Sequence, residues 1–417
     1  MARRITRREF VRTGSAAAAA ATFLSGSSFS LPRRAPALRV GLVGCGGRGK
    51  GAAEDCLRSS EGIEIVALAD LFSDRLEDAR GFLAGLGHEG VRVESERCFS
   101  GFDAYEKLLA TDVDLVILAT PPGFRPLHFE AAIAAGKNVF MEKPVAVDPP
   151  GIRRVIAAGE TAREKGLAVV AGTQRRHQAP YVETIRRIHE GAIGRVVSAR
   201  CTWNQGGLWK HDRREGESDM EWQVRNWLYF TWLSGDHIVE QHVHNIDVVI
   251  WALGAPPVSA VAVGGRQVRT DPAYGHIYDH FAVDFEFPGG VHATSFCRQM
   301  PGTDGLIAER IVGTEGESDP AGSIEGARAW KFEGKSRNPY VQEHDDLVAS
   351  IRAGRPLNEA RQVAQSTLAA ILGREAAYTG KRITWDEIAT SDLDLTPRAY
   401  AFGPLEVPPV ARPGSAS

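Results

Sequence analysis

The sequence is poor in cysteine, and its cysteines follow no pattern. Cys45, Cys56, Cys98, Cys201 and Cys297 stand far apart, with no C-x-x-C among them. An odd, scattered set argues against a disulfide framework. Long apolar runs are also missing, since no stretch reaches the ~20 apolar residues of a membrane-spanning helix. Charge of one sign is missing too: 52 acidic residues face 49 basic ones, for a net charge of −3. There is no basic surplus to favour nucleic acid as a partner. No internal repeat is visible. What is present is a chain of 417 residues, 43% hydrophobic and 24% charged, long enough for two domains with buried cores.

The first 35 residues differ from the rest. "TRREFVR" carries the Arg7–Arg8 pair with Phe10 and Arg12, and "TGSAAAAAATFLSG" follows. A basic start, a short apolar stretch and a small-residue tail describe an export signal, and the paired arginines describe the twin-arginine kind. The other reading is a cytosolic amphipathic helix, but the six-alanine run offers no polar face. The apolar stretch is too short for stable membrane insertion. The expected location is therefore the periplasm or the extracellular side. This route carries proteins already folded, often with a cofactor inside. The sequence thus divides into a signal at 1–35, a nucleotide domain at 36–150, a second domain at 151–385 and a tail at 386–417.

"ALRVGLVGCGGRGKGAAEDCL" opens the folded part. A short apolar strand runs into Gly44-x-Gly46-x-x-Gly49, with Cys45, Gly47 and Arg48 between the glycines, and an alanine-rich helical pattern follows. The first glycine allows a tight turn, the second lets a pyrophosphate approach the backbone, and the third lets helix and strand pack closely. "EIVALAD" ends in Asp70, 21 residues past Gly49. An acid there can hold the ribose hydroxyls of NAD and repel the 2′-phosphate of NADP, although Asp70 could instead cap a helix. Arg75 close by could soften the preference for NAD over NADP. "VDLVILAT", "FRPLHFEAAIAAGK" and "NVFMEKPVAVD" continue as strand, helix and strand, the pattern of a doubly wound parallel sheet.

Glu142-Lys143-Pro144 follows the last of these strands. The stretch "ATPPGFRPLHFEAAIAAGKNVFMEKP", with Thr120, Pro121 and His128, resembles the glucose–fructose oxidoreductase/inositol dehydrogenase (Gfo/Idh/MocA) family. "AGTQRRHQAPY", containing Arg176, and "GKRITWDEI" look familial as well, so the resemblance covers roughly 38–390. It implies an α/β Rossmann domain and a C-terminal α+β domain with a large, open, mainly antiparallel sheet. It also implies NAD(P) and oxidation of a sugar or polyol hydroxyl. Cofactor contacts would come from Gly44 to Gly49, Asp70, Thr120, Pro121, His128, Glu142, Lys143 and Arg176. Lys143 would stabilise the alkoxide that develops on the reacting oxygen. The open sheet implied by the family points to a homo-oligomer.

"GRVVSARCTWNQ", "PPVSAVAVGGRQV" and the hairpin "DHFAVDFEFPGGVHATSFCRQ" read as strands of the second domain. Five of eight tryptophans fall between Trp203 and Trp232, which suits either sugar faces or core packing. Tyr181, Trp203, Trp232 and Asp236 are the candidate substrate contacts. "SGDHIVEQHVHNID" packs His237, Glu240, His242, His244 and Asp247 together. Placed on one helix, Asp236, Glu240, His244 and Asp247 share a polar stripe and His242 points elsewhere. The family resemblance implies an acid one turn before a histidine, here Glu240 and His244, with His242 where glycine is usual. His244 would be the acid/base, oriented by Glu240. A metal held by His237, Glu240 and His244 is the competing reading. No cysteine cluster supports it, and hydride transfer assisted by a lysine needs no metal, so no metal is assigned. His237 and His242 read as structural or peripheral.

Export adds a constraint, because free NAD is not evidently available outside the cytoplasm. A tightly held cofactor could be recycled by ping-pong redox of two sugars. It could also be recycled by transient oxidation that enables an elimination, epimerisation or glycosidic cleavage. The remaining alternative is a sugar-binding protein that keeps the fold without the chemistry, and the presence of both Lys143 and His244 speaks against it.

Overall fold

The computed structural model describes residues 37–414; the export signal read at 1–35 lies outside the described residues. The first sheet is built from β1 (Leu38–Val43), β2 (Ile63–Asp70), β3 (Cys98–Ser100), β4 (Leu115–Leu118), β5 (Asn138–Met141) and β6 (Val169–Ala171). All pairings are parallel, in the order β3-β2-β1-β4-β5-β6. This is the dinucleotide-binding order, and it sets the strand ends on either side of a crevice. "LVIL" of β4 is buried on both faces, as a covered parallel strand must be. The helix Arg125–Ala134 gives way to Gly136, whose φ of 72° only glycine adopts readily.

The boundary expected at 150 is corrected by this sheet. β6 pairs with β5, Val139 opposite Val169, so the nucleotide domain runs on past the helix Pro149–Glu164 to residue 171. "NVFMEKPVAVD" is a strand only as far as Met141.

The second sheet has nine strands: β7 (Val196–Gln205), β8 (Ser259–Gly265), β9 (His280–Phe287), β10 (Val291–Gln299), β11 (Leu306–Gly313), β12 (Gly316–Asp319), β13 (Ser323–Gly326), β14 (Trp330–Lys331) and β15 (Ile383–Thr384). Their order is β14-β13-β12-β11-β7-β10-β9-β8-β15. Every pairing is antiparallel except that of β7 with β10. The hairpin turns at Gly289 and Gly290, with φ of 80° and 73°. The helices Val243–Leu253 and Ala360–Thr379 share one hydrophobic core with the inward side chains of this sheet, among them Ala293, Cys297, Phe285 and Ile311.

Two further expectations change. The stretch 236–250 is not one helix. A single turn, His237–Glu240, ends at Gln241, and a second helix runs Val243–Leu253. The break lets the His242 ring reach into the sheet, with Nε2 2.7 Å from Ser295 Oγ and 3.6 Å from Cys201 Sγ. The tail beyond 390 is a strap rather than an appendage. It is tied at Leu395 N to Asp148 (2.9 Å), at Leu405 to the helix Asp219–Arg225, and at Ala411 O to the Tyr278 hydroxyl (3.0 Å).

Candidate active site

The glycine loop has the geometry its spacing demands. Gly44 has φ of 97°, and a side chain there would strike the Thr120 backbone. A Cβ on Gly49 would lie 1.8 Å from the Gly44 carbonyl oxygen, so helix and strand touch there. A Cβ on Gly46 would meet nothing within 4 Å; that open space is what an approaching pyrophosphate needs. The helix Gly47–Ser59 begins at this spot and presents its unpaired N–H groups. Asp70 is not a helix cap. Its two oxygens accept from Cys45 N (2.7 Å) and Phe72 N (2.9 Å), which fixes the loop against the end of β2. Burial raises its pKa, and Arg75 and those amides pull it back.

A cleft of about 730 Å³ opens over this loop, lined by Gly44 to Arg48, Asp70, Arg75, Thr120, Pro121 and His128 among others. Thr120 Oγ1 lies 3.1 Å from His128 Nδ1. Burial, then Arg125, pushes His128 down to about 3, so its ring is neutral at any physiological pH. Arg48 turns away from the loop and pairs with Glu142, with Asp55 (3.1 Å) and with Glu343 (3.5 Å). Both Glu142 and Arg48 are therefore committed to an ionic cluster beside the cleft. Gly172 leaves the room Glu142 occupies, since a Cβ there would sit 2.5 Å from its carboxylate.

Lys143 follows the end of β5, and the Lys143–Pro144 peptide is cis. Its Nζ donates to the Glu240 carbonyl (2.7 Å) and to the Glu240 carboxylate (3.2 Å). His244 stands in the first turn of the helix Val243–Leu253, its ring stacked on Trp203 at 5.8 Å. Neither of its ring nitrogens has a hydrogen-bond partner among the described residues. Burial, then Lys143, then Arg175 push its pKa well below the ordinary 6.5. Lys143, Glu240 and His244 do not line the large cleft; they form a separate group one strand further along the sheet.

Residues 38–173 match the profile described as oxidoreductase family, NAD-binding Rossmann fold, and residues 181–318 match the Gfo/Idh/MocA C-terminal domain. The chain belongs to the Gfo/Idh/MocA oxidoreductase family. Inositol 2-dehydrogenase 3 of Saccharopolyspora erythraea is 28% identical over 76% of this chain and 86% of its own. The 2,7-anhydro-N-acetylneuraminate hydratase of Escherichia coli is 30% identical over 44% and 45%. In fold, the aldose–aldose oxidoreductase of Caulobacter crescentus superposes with a TM-score of 0.66 at 20% identity, covering 84% of this chain and 99% of that one. This Gfo/Idh/MocA protein is thus an NAD-dependent oxidoreductase by family.

Other predicted site residues of this oxidoreductase have different surroundings. Arg176 spends its guanidinium on Asp247 (2.8–3.1 Å) and lies over Trp251, and Asp247 also accepts from Ser366. It clamps two elements and does not line the cleft. Asp236 is fully buried, and its oxygens take Tyr278 N (2.8 Å), the Tyr378 hydroxyl (2.5 Å) and His237. No face of it is left for a substrate. Trp232 is buried and donates to Gln223 (2.8 Å), so it packs the core. His237 and His242 are structural, the latter neutral, with burial holding its pKa down at about 3. Tyr181 is also buried, donating to Glu309 (3.2 Å). Of the predicted substrate contacts, Trp203 alone is joined to the Lys143–His244 group.

Three residues escaped the sequence reading. Arg125, fully buried, donates to the carbonyls of Leu118 (2.6 Å), Thr120 (2.6 Å) and Glu142 (3.0 Å), tying together the ends of β4 and β5 that carry Thr120 and Lys143. Arg175 stands over Trp203 (5.7 Å) and Tyr181 (5.6 Å) and pairs with Glu309. Buried Glu309 also accepts from Asn245 (2.7 Å). Arg125 sits inside the familial stretch, where its charge on an otherwise apolar helix face was the available signal; Glu309 had none.

Proposed function

We propose that this oxidoreductase acts on a secondary hydroxyl of a neutral sugar, polyol or glycoside. The observation that carries the reading is the group made by Lys143, Glu240 and His244. An ammonium is fixed at two points beside a neutral imidazole with unpartnered nitrogens, at the carboxyl ends of the strands next to the nucleotide cleft. The cleft fits NAD, because the loop leaves open space at Gly46 and Asp70 stands at the end of β2. When bound, the nicotinamide supplies the two-electron acceptor. Lys143 donates to the reacting oxygen and stabilises its developing charge, and the neutral His244 ring takes the proton. Glu240 holds Lys143 in place, a role the sequence had given it toward His244. Trp203 offers a flat face to the sugar C–H groups.

In this reading the chain is exported and keeps its NAD, recycling it within the site. A redox-neutral outcome, in which oxidation is transient and elimination or water addition follows, is favoured by the likeness to a relative named for a hydration. Acid release and mass spectrometry of nucleotide from the purified exported protein tests retention. About one NAD per chain is expected, and an empty site that binds NAD weakly would refute it.

We also infer a homo-oligomer formed through the open sheet. Val263, Ala282, Phe296, Thr202 and Ala308 stand in one register row across β8, β9, β10, β7 and β11. Val263 is 70% exposed and Phe296 42%, with Leu306 next along at 50%. Exposed apolar side chains such as Val263, Phe296 and Leu306 on one open sheet face suit such an interface.

A further inference from the structure

We infer that the segment 206–229 and the C-terminal strap form the outer wall of the nucleotide cleft, and that Trp209, His211 and Tyr400 hold the adenosine half of the cofactor. This rests on the reading that the cleft holds NAD. A doubly wound sheet by itself offers a crevice open to solvent at its strand ends. Here the same cleft is also lined by Trp209, His211, Val224 and Trp227 from the second domain and by Tyr400 from the strap.

Both segments dock on the Asp70 side of the cleft. Arg225 pairs with Asp74 (3.0 Å), two residues past Phe72, and lies 3.8 Å over the Phe72 ring. Phe402 stacks on Phe72 (6.1 Å) and lies tilted against Phe102 (5.1 Å), and Tyr400 packs on Phe124 (5.4 Å) and Phe102 (6.4 Å). The acid at the end of β2 is where the adenosine ribose belongs, so the wall faces that half of the ligand.

The two segments are also stapled to each other. Gly403 O accepts from Met220 N (3.1 Å), Leu405 N donates to Asp219 (3.1 Å), and Gln223 donates to Leu405 O (2.8 Å). The loop that carries Trp209 is pinned through its backbone. The Tyr229 hydroxyl donates to Trp209 O (2.6 Å), Trp222 Nε1 donates to His211 O (3.1 Å), and His211 N donates to Asn226 (2.9 Å). The indole itself is left available. It is 45% exposed, its N–H has no partner among the described residues, and its ring neighbours are His211 (5.0 Å) and Trp227 (6.3 Å). Burial, then Arg75 and other cations, lowers the His211 pKa, so its ring is neutral and able to stack. A half-exposed indole lining a cleft beside a ribose-binding acid matches the flat face of adenine. Because the wall is stapled on both sides, the nucleotide leaves only when it opens.

The test measures release of bound NADH by fluorescence after a chase with excess NAD, on the whole chain. Trp209→Ala and Tyr400→Ala are each expected to speed release by at least about tenfold, the scale of one lost base–aromatic stack. Trp209→Phe, which keeps a stacking ring, is expected to restore slow release. Asp70→Ala is the reference for the cleft. The wall is overturned if Asp70→Ala speeds release while both alanine variants at Trp209 and Tyr400 match the wild type, or if Trp209→Phe releases as fast as Trp209→Ala. If Asp70→Ala also leaves release unchanged, the cleft is not the nucleotide site, and the underlying reading fails with the wall.

Discussion

At the scale of single residues, the chemistry turns on the Lys143 amine and the His244 imidazole. Lys143→Ala removes the donor to the reacting oxygen and should lower kcat/KM by about 10²–10³ with little change in melting temperature. Glu240→Ala should cost less, because Lys143 keeps its 2.7 Å bond to the main-chain carbonyl of residue 240. Steady-state kinetics on a responding substrate checks both, and equal losses would mean the carboxylate does the positioning. His244 sets the pH profile. Its pKa is held well below 6.5, so the ring is in its basic form throughout the neutral range. The expected log kcat/KM profile is flat across about pH 6–8 and bends only on the acid side; a break near pH 6.5 would place the ring in a more exposed setting than the structure gives.

At the scale of elements, the glycine loop separates folding from binding. Gly46→Ala places its methyl in open space, so the melting temperature should hold while NAD affinity falls at least about tenfold. Gly49→Ala drives a methyl to within 1.8 Å of a carbonyl oxygen and should destabilise the fold by about 1–3 kcal/mol, read by thermal unfolding. This loop was legible because glycine spacing, strand and helix occur within a few residues of one another. The stretch 236–250 was not. Its helical periodicity is real, but the pull of Ser295 and Cys201 on His242 comes from strands about 40 and 50 residues away. Asp236 looked like a substrate acid for the same reason: its partners Tyr278 and Tyr378 are distant in sequence. Lys143 and His244 could be named from a motif, whereas Arg125, Glu309 and the strap depend on tertiary partners that local patterns do not encode.

At the scale of the whole molecule, buried histidines link stability to pH. His128 and His242 are held down at about 3 and His276 at about 4, by burial first in each case, and His244 and His344 also lie well below 6.5. The unfolded chain takes up these protons at about 6.5, so stability is fully present above that pH and is lost as pH falls toward the folded values. His177 has the opposite sign. Burial opposes its charge, but Asp346 and Glu359 outweigh that and hold it at about 10, so its contribution is fully present below about 6.5 and is lost as pH rises from there through 10. The urea midpoint should therefore drop between about pH 7 and about pH 5, and a midpoint that rose over that interval would contradict these assignments. The open sheet gives a second prediction at this scale. Phe296→Glu, in the centre of the apolar row, should shift the molar mass measured by light scattering from oligomer to monomer, and an unchanged mass would exclude this face as the interface.

The most direct test of the central claim uses the protein as isolated, with no NAD added. The purified chain is mixed with a panel of inositols, aldoses and glycosides while the signal of reduced nicotinamide is followed through a single turnover, with Lys143→Ala in parallel. The account predicts that at least one neutral polyhydroxy compound gives a signal approaching one reduced nicotinamide per chain, and that Lys143→Ala, loaded to the same extent, gives it at least about a hundredfold more slowly. A loaded wild type that no member of the panel reduces, or a Lys143→Ala variant as fast as the wild type, would contradict it.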